Sequence, residues 1–373
     1  MNITTHFSPN SIAERHSEKL LEVIRCQINI SEGKISFADY MNLCLYHPGL
    51  GYYSAGSNKM NYGGDFTTAP EISPLFSGAF AHHVKDVIRQ IPLSDILEFG
   101  AGSGTMAVHI LLELERLNSL PNYYFIVEVS ADLRCKQQTL IEIEIPHLIH
   151  LVQWLDYLPN TFTGVVLANE VCDAMPVHRL NFSNGNIREC CIELNSIGEL
   201  QWCNYECTKP ELLIRAQEIQ ASIGDQDYTT EVNLLAETWL SSIANLLDKG
   251  AIFIVDYGYS KTSYYHRERT SGTLMCYYQH QGNHNPLLLP GLQDITAHIN
   301  FSGLAETAFS NNLVVASFQS QADFLISGSI MELVLADNNV LQPIKEAAEL
   351  KQLILPSEMG ESFKVLTLTY KNF

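Results

Sequence analysis

The sequence predicts an α/β protein built on a mostly parallel, doubly wound sheet, with an N-terminal helical region and an inserted α+β segment. Three observations point there. From residue 95 onward, strand-length apolar runs alternate with helix-length amphipathic ones, the rhythm of parallel strands joined by crossover helices. The first of those strands breaks into glycines at 100, 102 and 104 before a helical run begins, as in sheets that bind a ligand beyond their carboxyl ends. Between 177 and 227 the alternation gives way to successive strand-like runs, which reads as an insert. The chain therefore divides into a helical region over 1–90, a core over 91–176 and 228–373, and the insert at 177–227.

Taken in order, residues 11–31 place Ile12, Leu20, Leu21, Val23, Ile24 and Ile28 at roughly helical spacing. A second amphipathic helix over 35–46 is stopped by His47-Pro48-Gly49. The stretch 47–70 is rich in Gly, Tyr, Asn and Thr, and a loop that long in a compact protein is usually functional or mobile. A helix over 74–90 leads into the core. Core strands are expected at 95–99, 123–129, 148–152, 164–168 and 251–256, with helices at 105–117, 131–142 and 231–248. Within the insert, strands at 177–182, 187–194 and 200–205 precede a helix at 210–222, a unit suited to covering a ligand cleft or recognising a partner. Residues 260–293 read as a polar, aromatic loop, and 313–318 with 363–370 as an antiparallel pair closing the sheet.

Composition narrows the functional classes. Of 373 residues, 46% are apolar, enough for a sizeable core. No apolar run approaches the roughly 20 residues of a membrane span, and the N-terminus lacks the basic-then-apolar pattern of a signal peptide. A soluble, cytoplasmic protein without membrane insertion is expected. Forty-one acids against 22 Lys and Arg give a net charge of −19, which disfavours a nucleic-acid partner and suits a basic or neutral protein one. The nine cysteines read as reduced thiols. Cys190-Cys191 and Cys203-x-x-x-Cys207 lack a matching His pair, and His82-His83, His280 and His284 lack metal-ligand spacing, so no metal site is expected.

The chemistry concentrates at four strand ends. In Glu98-Phe99-Gly100-Ala101-Gly102-Ser103-Gly104, alternate glycines let the backbone turn sharply and approach a ligand that a Cβ would exclude. Thr105 stands where the dinucleotide fingerprint G-x-G-x-x-G requires its third glycine, which disfavours an NAD-type oxidoreductase. An acid at Glu98 suits a cationic ligand better than a pyrophosphate. S-adenosyl-L-methionine (AdoMet), with its sulfonium and ammonium, fits that description. Glu128, ending the next strand, is placed to take both ribose hydroxyls. The third end, Asn169-Glu170-x-x-Asp173, follows a fully apolar strand, and a helical turn there would set Glu170 and Asp173 on one face at i, i+3. These three are the catalytic candidates. The fourth end is Asp256-Tyr257-Gly258. Further cofactor contacts are expected from Asp65, Thr67 and Thr68 in the long loop, with Asp65 meeting the AdoMet ammonium or shaping the methionine end. Asp156, after the third strand, is the candidate at adenine.

Several longer motifs carry a family resemblance. They are His47-Pro48-Gly49-Leu50-Gly51-Tyr52-Tyr53, Gly64-Asp65-Phe66-Thr67-Thr68-Ala69-Pro70-Glu71-Ile72-Ser73, the glycine turn, Val127-Glu128-Val129-Ser130, and Asn169-Glu170-Val171-Cys172-Asp173-Ala174-Met175-Pro176-Val177. Val255-Asp256-Tyr257-Gly258, Asp294-Ile295-Thr296-Ala297-His298-Ile299 and Met359-Gly360-Glu361-Ser362-Phe363-Lys364-Val365-Leu366 complete the set. In this order, over about 47 to 366, the chain resembles the MidA-like family of AdoMet-dependent class I methyltransferases. That family includes mitochondrial members that methylate arginine on a respiratory complex I subunit. Ala101 stands where the family usually has Pro, Ser103 where Arg is common, and Asn300 where Asp is frequent.

The resemblance implies a Rossmann-like class I methyltransferase fold, AdoMet as cofactor, and a protein substrate bearing an accessible arginine. Glu170 would then grip the guanidinium, with Asp173 assisting or holding the loop and Asn169 adding an amide contact. A homodimer stays open. So do two other readings, an AdoMet-dependent enzyme with a different acceptor and a non-catalytic assembly protein that retains AdoMet binding.

Overall fold

Five strands pair in parallel in the order Leu247–Tyr259, Phe162–Asn169, Asp95–Phe99, Tyr124–Val127 and Val152–Trp154. On one side Phe363–Tyr370 runs antiparallel to Leu247–Tyr259, and Leu313–Ser320 pairs beyond it. The expected parallel sheet with its antiparallel closing pair is therefore present in this computed structural model, which describes residues 9–55, 68–336 and 343–370. Val165, Val166 and Leu167 of the second strand are completely buried, as a strand covered on both faces requires.

The chain forms two compact units. The parallel sheet belongs to the unit made of Thr67–Cys172, Thr238–Gly258 and Phe301–Phe373. Its crossover helices, Thr105–Arg116 and Ala131–Glu144, follow the first two strands. The helix Pro74–Ile88 starts where Pro74 cannot donate anyway, with Ser73 Oγ accepting from Leu75 N. It contributes Phe76 and Phe80 to a ring cluster in which Phe80 lies 5.4 Å from Phe253 and 5.0 Å from Phe324, centroid to centroid. Each such ring stabilises the fold by about 1.5–3 kcal/mol through burial.

The other unit gathers Met1–Phe66, Asp173–Glu237 and Tyr259–Asn300. Its antiparallel sheet runs Lys34–Ser36, Asn186–Leu194, His178–Ser183 and Tyr228–Val232, with Leu200–Glu206 pairing on Asn186–Leu194. The helix Pro210–Ile223 buries Leu212, Ala216, Ile219 and Ile223, a three-and-four spacing, against Leu180, Phe182 and Tyr228. A second core joins the helices Ser11–Ile30 and Phe37–Tyr46 to residues Ile192, Cys276 and Ile295. Both helices carry side-chain caps: Asn10 accepts from Ile12 N and Ala13 N, and Ser36 from Asp39 N.

Four local expectations need correcting. Residues 34–36 are a strand, so the second helix starts at Phe37 and not at 35. Ile149–Leu151 is a short 3-10 turn, and the strand follows it at Val152–Trp154. The helix expected over 231–248 is split. Tyr228–Val232 is a strand pairing with His178–Ser183, and the helix is Leu234–Leu246. Its β-branched residues favour the pleat, and Glu231, 1% exposed, is held by Arg179 Nε at 3.3 Å. Finally, the aromatic stretch read as a loop folds into a small sheet of Met275–Tyr278, Gln281–Asn283 and Asp294–Thr296. All nine cysteines are free. Among the described residues no helix is long and apolar enough to cross a membrane.

Candidate active site

At the carboxyl end of Asp95–Phe99 the backbone passes through left-handed conformations at Gly100, Gly102 and Gly104, with φ of 61°, 55° and 92°. Gly104 N donates to Ala101 O at 2.8 Å, closing the turn, and Gly104 then starts the helix Thr105–Arg116 without any side-chain cap. A Cβ on Gly100 would lie 3.2 Å from Val171 Cγ2, and one on Gly104 would lie 3.2 Å from Gln137 Cα. A Cβ on Gly102 would meet nothing within 4 Å. Two of the glycines thus allow close packing within the protein, and the third faces open space, as a backbone approached by a ligand must.

Glu128 stands at the next strand end. Its Oε1 accepts from Ser130 N at 2.8 Å and its Oε2 from Gln137 Nε2 at 3.0 Å. Gln137 is completely buried and has a second role. The same Nε2 donates to Gly102 O at 3.0 Å, while its Oε1 accepts from Trp154 Nε1 at 2.9 Å. One amide therefore ties together the glycine turn, Glu128 and the end of the neighbouring strand. Sequence reasoning missed Gln137 and Trp154. The available signal was a glutamine four residues before Ile141, on the buried stripe of the helix Ala131–Glu144.

Glu98 is 3% exposed, and Tyr124 Oη donates to its Oε2 at 2.9 Å. Burial pushes its carboxyl up to about 7; the Tyr124 hydrogen bond pulls it down and the neighbouring Glu128 charge pushes it up. Burial also raises Glu128, against the hydrogen bonds that lower it. Two acids close to a glycine turn and reluctant to ionise are poised to gain from a positively charged ligand.

Asn169 ends its strand beside this turn, since Phe99 pairs with Ala168. Its Nδ2 lies 3.4 Å from Glu170 Oε1, and its Oδ1 is buried with no hydrogen-bond partner among the described residues. A buried acceptor left this way is costly unless a ligand donor completes it. The chain does not then turn helically. Glu170 takes a left-handed conformation with φ of 52°, and its N donates to Val255 O at 2.8 Å. Cys172 N donates to Asp256 Oδ2 at 3.1 Å, which fixes the rest of the turn. Asp256 is completely buried and works as a brace for this turn. The i, i+3 helical face expected for Glu170 and Asp173 is consequently absent.

The remaining candidates fall outside this arrangement or outside the described residues. Asp173 opens the other unit, is 5% exposed, and its carbonyl accepts from Ala297 N at 3.1 Å. The Asp156 side chain is 71% exposed and accepts from Arg134 Nη1 at 2.6 Å. Thr68 precedes the short helix Ala69–Ile72 without a side-chain capping bond. Asp65 and Thr67 lie outside the described residues. The residues brought together are thus Glu98, Gly100, Gly102, Gly104 and Glu128, with Gln137 and Trp154, next to Asn169 and Glu170.

Known proteins resemble this chain in sequence and fold. Residues 79–319 match the family described as "Putative S-adenosyl-L-methionine-dependent methyltransferase". A Burkholderia thailandensis protein, crystallised bound to S-adenosyl-homocysteine, superposes with a TM-score of 0.93 at 35% identity, covering 98% of this chain and 95% of that one. A mitochondrial protein arginine methyltransferase, the NDUFAF7 homolog of Drosophila melanogaster, is 28% identical over 96% of this chain and 86% of its own. The Danio rerio protein arginine methyltransferase NDUFAF7 is 26% identical over 91% and 84% respectively.

Proposed function

Because this chain belongs to that family of S-adenosyl-L-methionine-dependent methyltransferases, we propose that it methylates a guanidinium nitrogen of an arginine in a protein substrate. The residues present fit the cofactor. Gly102 leaves room for a ligand against the backbone, Glu128 offers a carboxylate held in place by Ser130 and Gln137, and Asn169 Oδ1 lacks a donor among the described residues. When bound, AdoMet supplies a methyl group already activated by its sulfonium. What the protein adds is alignment of the acceptor nitrogen, worth several orders of magnitude in effective concentration.

An arginine acceptor is difficult because its guanidinium stays protonated, with a pKa above about 12. A carboxylate that grips the planar fork can fix its orientation and draw positive charge away from the attacking nitrogen. We assign that role to Glu170, with Asn169 buttressing its carboxylate. The left-handed backbone at Glu170 carries the assignment. Nine other described non-glycine residues share this conformation, at a cost of about 1–3 kcal/mol each, but Glu170 alone takes it directly after a strand of the parallel sheet, beside the glycine turn. The two arginine-methylating relatives support the choice of acceptor.

The test is transfer of labelled methyl from AdoMet to proteins of a cell extract, with the labelled residue identified by mass spectrometry. Label on a protein arginine is expected. Glu170→Gln should lower turnover by roughly 100-fold while S-adenosyl-homocysteine affinity stays within about threefold. Label confined to small molecules would exclude a protein acceptor, and normal turnover in Glu170→Gln would remove Glu170 from the mechanism.

A further inference from the structure

The amide of Gln137 lies wholly within the unit that carries the parallel sheet, and its partners fix which end of it points where. Glu98, Ile126 and Trp154 stand directly opposite one another on three adjacent parallel strands, so their side chains share one face of the sheet. Glu128, two residues past Ile126, continues that side beyond the strand end. Gln137 comes from the helix Ala131–Glu144 and is completely buried.

Two of the three bonds to this amide settle its orientation. Gly102 O can only accept and Trp154 Nε1 can only donate. The contact to Gly102 O at 3.0 Å therefore requires the amide nitrogen, and the contact from Trp154 Nε1 at 2.9 Å requires the amide oxygen. Both select the same orientation, so the second N–H must serve Glu128 Oε2 at 3.0 Å. Both N–H groups are then spent, and Glu128 meets a donor that only an unprotonated oxygen can accept. Ser130 N holds the other oxygen at 2.8 Å. Burial raises the Glu128 carboxyl, and these two bonds oppose that rise. Glu128 itself is only partly buried, and an ionised carboxylate with about four acceptor positions keeps capacity for donors from outside. Two oxygens fixed in one plane suit two hydroxyls on neighbouring carbons.

We propose that Gln137, itself fixed by Trp154, is a positioning residue that sets Glu128 to bind both ribose hydroxyls of the cofactor, and that this makes the protein discriminate against cofactors lacking either one. The inference holds whichever acceptor receives the methyl group, and so stands apart from the arginine reading. Without the amide, Glu128 keeps only its backbone donors and its carboxylate can rotate away from the diol. Because one nitrogen serves both Glu128 and Gly102 O, the acid and the glycine turn are also held in a single register. A site built to bond a hydroxyl leaves its own polar groups unpaired when that hydroxyl is missing, which is the source of the discrimination.

The experiment measures, by calorimetry on the full chain, the affinity for S-adenosyl-homocysteine and for its 2′-deoxy and 3′-deoxy counterparts. The quantity read is the ratio of deoxy to parent-ligand dissociation constants. In the unmodified protein each missing hydroxyl should weaken binding by about 10- to 100-fold. Gln137→Met, similar in shape but unable to donate, should shrink that ratio to within about threefold. Trp154→Phe should shrink it part of the way, since the amide keeps its two acceptors and loses the bond that stops its swing. This second variant removes a single hydrogen bond, so it reads the same ratio should Gln137→Met fail to fold. If both variants weaken all three ligands equally and leave the ratio unchanged, the amide only supports the fold and the proposal is wrong. A ratio near one in the unmodified protein would overturn it as well, by removing Glu128 from the ribose, and would leave the arginine reading untouched.

Discussion

Glu98 shows how a single side chain can record what a site expects. Its carboxyl has almost no contact with water, so burial lifts it to about 7 from an ordinary 4.5, against the pull of the Tyr124 hydroxyl. A carboxyl raised in the folded state stabilises the fold fully below its ordinary value, and that contribution disappears as pH climbs through the folded one. Between about pH 4.5 and pH 7 the apo protein should therefore lose on the order of 3 kcal/mol of stability through this group alone. Glu98→Gln keeps an acceptor for Tyr124 and cannot ionise. Urea denaturation of parent and variant at about pH 5 and about pH 8 should show the variant gaining relative to the parent at the higher pH. A difference that does not change with pH would mean that Glu98 is paired more favourably than its surroundings indicate. Glu170 is the complementary residue, strained in backbone where Glu98 is strained in charge, and both lie around the same glycine turn.

The glycine turn is the element on which cofactor approach depends, and Gly102 isolates that role. An alanine there would touch nothing within 4 Å, so its cost to folding comes only from the left-handed φ of 55°, about 1–2 kcal/mol. Its methyl would project into the space offered to a ligand. Gly102→Ala should thus melt only a few degrees below the parent yet bind S-adenosyl-homocysteine more than about tenfold more weakly by calorimetry. Retained affinity would show that the ligand approaches from elsewhere. This turn was legible in the sequence because alternate glycines directly after an apolar strand serve a backbone that must turn left-handed at once. The strand-helix alternation around it was legible for the same local reason. Gln137 was not, since its meaning arises only when three strand ends are brought side by side. The helical turn expected after Asn169 failed similarly: Val255 O and the Asp256 carboxylate, more than 80 residues away, dictate the backbone of 170–172. The aromatic stretch holding Tyr277 and Asp294 lacked period-two alternation long enough to announce its short strands.

At the scale of the whole molecule, charge is the property the sequence states most openly. A net charge of −19 surrounds the protein with a potential that draws in basic ligands and repels phosphate backbones. Where the acceptor arginine stands in a basic stretch of chain, part of the binding should come from this long-range field, and only part from contacts at the acceptor. The two parts separate by ionic strength. Screening shortens the reach of the field from roughly 10 Å at about 0.1 M salt to a few ångströms near 1 M, while contacts buried at the acceptor are screened far less. Raising salt from about 50 mM to about 500 mM should therefore increase KM for a basic arginine peptide by roughly three- to tenfold and leave kcat nearly constant. Affinity for S-adenosyl-homocysteine, which has no net charge at neutral pH, should change less than about twofold over the same range. A KM that ignores salt would confine recognition to the acceptor residue itself; a kcat that falls with it would place the charged contacts in the methyl-transfer step.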